Sequence, residues 1–340
     1  CPQLARAGNL IGTIYNYVKL RLKKMKKLRP HFILILGLMI QLSCAHTPRT
    51  VTRGEAMQTP LACAQYAAQL SGDPGMIVQV AIKYAQAGDF ARAIDLVESI
   101  SERGFIEVLR REFYFRRVIE WNVTSKIEAY TDIATLQAKA GFYDQALNSL
   151  ERAVSLAHLF EPDEDWTRIA QLTIVASKFV LLGKEDKAFA IFNDLPVNAA
   201  KLTRATQEIS SAEDTLLRQK IRMLTAIADS LAKVGKAEKS LQTIRQVRAL
   251  FERLPLSDII ASDVVRIADV YVQLGKGEMA IDLIQTFVEN EIKQGPQNPS
   301  SKGWNLFQYA EQLAQLSKIE QARKLAEIIS DPSARAATFA

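Results

Sequence analysis

The chain has 340 residues, of which 48% are apolar, 24% charged and 8% aromatic, with three cysteines and three histidines. That composition excludes a disordered tail, a polytopic membrane protein and a disulfide-stapled scaffold, and it leaves little imidazole for metal or acid–base chemistry. The formal charge of +6 suggests nucleic acid only until it is located. Arg6, Lys19, Arg21, Lys23, Lys24, Lys26, Lys27 and Arg29 stand in residues 1–43 without one acid, which leaves 35 basic against 37 acidic residues after them. A body with a net charge of −2 argues against a nucleic-acid partner, since binding to phosphates is driven by basic side chains.

Met25 opens a short basic stretch, and Phe32 to Leu42 follow as eleven mostly apolar residues. These match the n- and h-regions of a secretory signal peptide. Eleven helical residues reach only about 16 Å, short of a bilayer core. Residues 1–24 therefore read as an over-extended start or a basic extension, and residues 25–43 as the signal peptide. Gln41-Leu42-Ser43-Cys44 resembles the lipobox of bacterial lipoproteins, although Gln41 stands where a Leu-like residue is usual. The resemblance implies lipidation of Cys44, and Ala45 after it implies the outer membrane in a Gram-negative cell. Ser43-Cys44-Ala45 also reads as an ordinary small-x-small cleavage site, which would free a soluble periplasmic protein starting at His46. Both readings export the chain. Residues 44–60, rich in Thr and Pro, read as a polar linker.

From Leu61 onward the apolar spacing is helical, and residues 61–71 predict one helix ahead of a repeat. Glycines fall at positions 88, 141, 183, 235 and 275, with Ser317 in the same context. Seven residues before each stand Ala81, Ala134, Ala176, Ala228, Ala268 and Ala310. Five after each stand Ala93, Ala146, Ala188, Ser240, Ala280 and Ala322, and four before lie Tyr84, Gln137, Phe179, Leu231, Tyr271 and Leu313. The pattern predicts six antiparallel helix pairs. Each first helix closes at a left-handed Gly88, Gly141, Gly183, Gly235 or Gly275, alanines sit at the crossings, and Tyr84, Phe90, Phe192, Ile244, Tyr271 and Ile284 fill the space between pairs. Pro74, Pro162, Pro196, Pro255, Pro296, Pro299 and Pro332 all fall at junctions, where a missing N–H is tolerated.

These offsets resemble tetratricopeptide (TPR) repeats, with Ala81-Tyr84-Gly88-Phe90-Ala93 the nearest match and Ala268-Tyr271-Gly275-Ala280 next. The resemblance implies an all-α, TPR-like solenoid over residues 61–340. Successive leading alanines stand 53, 42, 52, 40 and 42 residues apart, longer than the common unit of about 34. The helices or junctions are thus expected to be longer, with residues 104–126 and 196–220 contributing an extra turn or short helix. The resemblance also implies a partner-binding groove lined by Glu128, Thr131, Thr135, Lys139, Thr173, Ser177, Arg222, Thr225, Asp229, Asp269, Gln273 and Glu311. The places of the family's clamp for acidic peptide tails hold Val78, Thr131, Thr173, Thr225 and Val265, so that activity is not carried over. The sixth pair closes near Ser330, and Asp331-Pro332 then reads as the start of a further helix. The gene is accordingly expected to continue past Ala340.

No residue set reads as catalytic, and no cofactor or metal is expected. Gly275-Lys276-Gly277 matches part of a dinucleotide fingerprint but lacks the strand that such a loop needs. His31 and His46 belong to the leader and linker, leaving His158 alone. Cys63 is expected as a small buried apolar residue. Glu161, Asp163, Glu164 and Asp165 suit helix capping better than a calcium loop. Arg110, Arg111, Arg116 and Arg117, interleaved with Phe113, Tyr114 and Phe115, read as a solvated helical face or as a patch for an anionic partner. The function expected is a non-enzymatic protein–protein interaction scaffold of the bacterial envelope, with a membrane anchor and an unidentified protein or peptide partner. An envelope enzyme or accessory acting on cell-wall polymers is the alternative.

Overall fold

The structure is a computed structural model that describes residues 52, 54, 58–101, 113–160, 165–195, 209–254, 261–293, 299–329 and 334. The leader, Cys44, Arg110, Arg111 and the acids at positions 161, 163 and 164 lie outside the described residues, as do the side chains of residues 113–121. Among the described residues there are thirteen helices and no strand. They are α1 Pro60–Ser71, α2 Pro74–Gln86, α3 Phe90–Glu98, α4 Phe113–Lys139, α5 Tyr143–Ala157, α6 Asp165–Leu181, α7 Glu185–Asn193, α8 Ile209–Lys233, α9 Ala237–Phe251, α10 Ala261–Gln273, α11 Gly277–Lys293, α12 Pro299–Gln315 and α13 Ile319–Ile328. None of them is long and apolar enough to cross a membrane.

All six predicted turns form, and one hydrogen-bond pattern makes them. The glycines at 88, 141, 183, 235 and 275 have φ between 69° and 86°, and Ser317, at 60°, is the one described non-glycine in that region. In each turn the N–H of the left-handed residue donates to the carbonyl three residues back, as Gly275 does to Val272 (2.9 Å). The next N–H donates to the carbonyl five residues back: Asp89 to Tyr84, Phe142 to Gln137, Lys184 to Phe179, Lys236 to Leu231, Lys276 to Tyr271 and Lys318 to Leu313, all 2.8–2.9 Å. This is the Schellman closure, which satisfies carbonyls that a helix end leaves open. Both alanine series are buried throughout, together with Ser240.

The chain divides into two compact units, residues 1–129 and 130–340, with the boundary inside α4. In the first, α1 packs on α2 and α2 on α3. Cys63, expected in the core, is exposed. Helix α1 buries Ala62, Gln65 and Ala68, and Cys63 lies about 100° around from Ala62. Lys126 of α4 is buried instead, donating to the Ile100 carbonyl (3.1 Å) and pairing with Glu98 (3.3 Å).

In the second unit one apolar core runs from α8 to α13 and just beyond, from Leu217 through Ile244, Tyr271 and Ile284 to Ile329 and Ala334, with the Phe251 and Phe287 rings tilted against each other at 5.8 Å. The long spacings are taken up in part by long helices, since α4 and α8 are 27 and 25 residues long. Residues 102–112 and 196–208, in the segments where an extra turn or short helix is also expected, lie outside the described residues.

One pair breaks the apolar rule four residues before its turn. Gln137 is fully buried and accepts from the Ser149 hydroxyl (2.9 Å), while its Nε2 has no hydrogen-bond partner. An unsatisfied buried amide costs about 1–3 kcal/mol. The double substitution Gln137→Leu with Ser149→Ala, matching Leu231 and Leu313, is expected to raise stability by about 1–2 kcal/mol, read as a higher denaturant midpoint with an unchanged m-value.

Candidate functional site

The first helices of successive pairs lie side by side in the second unit, α6 on α8, α8 on α10 and α10 on α12. Polar side chains tie them across the gaps. Arg222 Nε of α8 donates to Asp263 of α10 (3.2 Å), Gln273 Nε2 of α10 to Asp229 of α8 (2.9 Å), and Gln312 Nε2 of α12 to Asp269 of α10 (2.7 Å). Lys233 also pairs with Asp229 (2.6 Å). Burial pushes the Asp269 carboxyl above its ordinary range; the Gln312 hydrogen bond opposes that shift and the Asp229 charge adds to it.

Of the expected groove residues, the structure thus brings Arg222, Asp229, Asp269 and Gln273 into one ladder, with Asp263 and Gln312 as members that the sequence did not single out. The hydroxyls behave differently. Thr135, Thr173 and Thr225 donate to the carbonyls of Thr131, Ile169 and Ile221, and Ser177 to that of Ile174, so each is engaged within its own helix. Thr131 and Thr225 are buried, and neither presents an accessible hydroxyl. Glu128, Lys139 and Glu311 are exposed.

The second helices carry their own ties. Glu151 of α5 pairs with Lys187 of α7, Glu185 of α7 with Lys236 just before α9 (2.6 Å) and Lys239 of α9 (2.7 Å), and Glu278 of α11 with Lys318 beside α13 (3.7 Å). The hydrogen bonds from Lys236 and Lys239 hold the Glu185 carboxyl down at about 2. A carboxylate depressed on folding stabilises the fold fully above its unfolded pKa of about 4.5, and that stabilisation disappears as pH falls through about 2. Glu185→Gln is expected to cost about 1 kcal/mol at pH 7, less than the pKa displacement alone implies, because both lysines are substantially solvated. The gap between its thermal midpoint and that of the parent should close between about pH 4 and pH 2.

An open cleft of about 300 Å³ lies between α4, α5 and α6. Ala134, Thr135, Ala138 and Lys139 line it from α4, Tyr143 and Leu150 from α5, and Lys178 and Leu181 from α6, with Leu182 just beyond. Sequence reasoning picked out Thr135 and Lys139 but missed the cleft. The signal was present in the turn: Asp89-Phe90 of the first pair caps a helix and buries a ring, whereas the matching Phe142-Tyr143 supplies no side-chain cap and leaves both rings exposed. Gly275-Lys276-Gly277, by contrast, is an inter-helix turn like the other five. Among the described residues no group of three or more His, Cys, Asp or Glu is gathered to hold a metal.

Repeated helix pairs closed by one kind of turn give the described residues an all-α helical-repeat fold, and in the second unit the pairs stack in series. No family model and no curated protein matches the chain. Among solved structures it is similar to the TPR-like repeats of a Podosopora anserina putative kinesin light chain, 15% identical, and to a singly substituted form of those repeats, 16% identical; each comparison covers 63% of this chain and 95% of that one, with a TM-score of 0.33. It is similar also to Ton1535 from Thermococcus onnurineus NA1, 17% identical over 78% of this chain and 90% of that one, with a TM-score of 0.22. At these scores the likeness carries no argument, and the class rests on the chain's own helix pairs.

Proposed function

We propose that the chain is a non-enzymatic scaffold for protein–protein interaction, exported to the bacterial envelope and lipid-anchored through Cys44. The observation that carries the scaffold reading is the row of adjacent first helices, α6, α8, α10 and α12, which offers an extended partner a continuous surface. A photo-crosslinking amino acid at exposed Glu311 should capture a partner in intact cells, and one at exposed Ala249 on the second helix α9 should not. Equal capture at both positions, or none at Glu311, would count against a scaffold.

The address is supported by the signal-peptide pattern of residues 25–43 and by the cysteine that follows. Cys44→Ala should leave export intact, abolish acyl labelling and move the protein from the membrane to the soluble fraction. Unchanged membrane association would reject the lipid anchor and leave the scaffold reading standing.

A further inference from the structure

We propose that the cleft between α4, α5 and α6 docks a partner peptide bearing one or two large apolar side chains flanked by carboxylates. This rests on the scaffold reading and names the chemistry that one place on the scaffold recognises.

The floor of the cleft is apolar, since Ala134 and Leu150 are fully buried core residues and Ala138, Leu181 and Leu182 continue that surface upward. Its volume stands at the low end of the roughly 300–1,000 Å³ typical of ligand pockets, room for one or two large side chains. The polar part of the lining is one-sided: two lysines, Lys139 and Lys178, and no acid. Neither lysine has an ion-pair partner among the described residues. Some lysines of this unit are engaged, Lys187 with Glu151 and the Phe179 ring, Lys233 with Asp229, Lys236 and Lys239 with Glu185, whereas Lys139 and Lys178, like Lys184 and Lys276, are not. Thr135 is also unavailable, because its hydroxyl donates to the Thr131 carbonyl (2.9 Å). Two uncommitted ammonium groups beside an apolar floor therefore complement a ligand that is apolar at its centre and anionic at its flanks. An exposed Tyr143 ring adds an amphipathic wall of the kind that recurs at binding hot spots.

A fluorescein-labelled ten-residue peptide tests this, with a central leucine–phenylalanine pair flanked on each side by two glutamates and then two serines. Two twins accompany it, one with lysines in place of the glutamates, the other with serines in place of the apolar pair. Fluorescence anisotropy should show the acidic–apolar peptide binding at least tenfold more tightly than either twin. Lys139→Glu with Lys178→Glu should weaken it at least tenfold, and so should Ala138→Phe, which fills the cleft and keeps both lysines. Thermal melts establish that each variant is folded. If either destabilises the protein, Lys139→Gln and Lys178→Gln, tested singly, should each weaken binding about threefold. Equal binding of the lysine twin, unchanged affinity in the folded variants, or palmitate binding where the acidic peptide does not would overturn the proposal. Capture at Glu311 separates the two readings: if it persists while the peptide fails, only the cleft assignment falls, and if both fail, the scaffold falls with it.

Discussion

Replacing Phe179 by alanine is expected to cost about 3–5 kcal/mol, well beyond the cost of losing the Glu185 carboxylate. The ring is almost fully buried four residues before the Gly183 turn, and its own carbonyl accepts the Lys184 N–H that closes α6. Lys187 Nζ stands 5.7 Å from the ring centroid, so truncation also removes the platform beneath that ammonium. Because α6 packs on α5, α7 and α8, the cavity opens where pairs meet and should weaken their contact as well as one helix. Urea unfolding should show a much lower midpoint, whereas Phe192→Ala, at a half-buried site on α7, should cost less. Comparable losses at the two sites would mean that the position before the turn has no special part in packing.

Enlarging a crossing is the second strong perturbation. Ala268 is fully buried on α10 and belongs to the core shared with Ala280 of α11. Ala268→Leu adds three carbons where the backbones approach closely and is expected to destabilise by about 1–3 kcal/mol through overpacking. In a unit of this size that is a drop of very roughly 2–12 °C in Tm. Ala249→Leu, on the exposed side of α9, should change stability by less than about 0.5 kcal/mol. Equal tolerance of both would make the alanine register an accident of composition.

What the sequence made legible was local. A left-handed residue with its alanines seven before and five after is a short-range signature, and all six turns formed where it placed them, even at Ser317. The burial of Tyr84, Phe179 and Tyr271 followed from the same offsets. The missed features depend on residues distant in sequence. Glu185 meets Lys236 and Lys239, 51 and 54 residues later, and no periodicity within one pair foretells which charges face each other. Thr131 and Thr225, expected to line the groove, are buried, because depth depends on what packs over a helix and not on spacing within it. The departure at Phe142-Tyr143 marked one wall of the cleft, but the cleft itself needs three helices, α4, α5 and α6, and no single one of them carries the whole of its pattern.

The ties between second helices bear on how the chain avoids assembling in the wrong order. Repeats with similar cores can exchange neighbours while folding, a recognised failure of such arrays. Among the described residues three junctions carry such a tie: Glu151 with Lys187, Glu185 with Lys236 and Lys239, and Glu278 with Lys318. Glu185 of the third pair finds Lys236 and Lys239 on the fourth, but the matching places on the fifth pair hold Lys276 and Met279, so one of its two ammonium partners would be lost there. The matching place for Glu185 itself is Ala237 in the fourth pair, Gly277 in the fifth and Ile319 in the sixth. Shuffling these pairs would keep every turn and every crossing alanine while leaving the charges mismatched at the seams, so the repeats act as an ordered series and not as interchangeable modules.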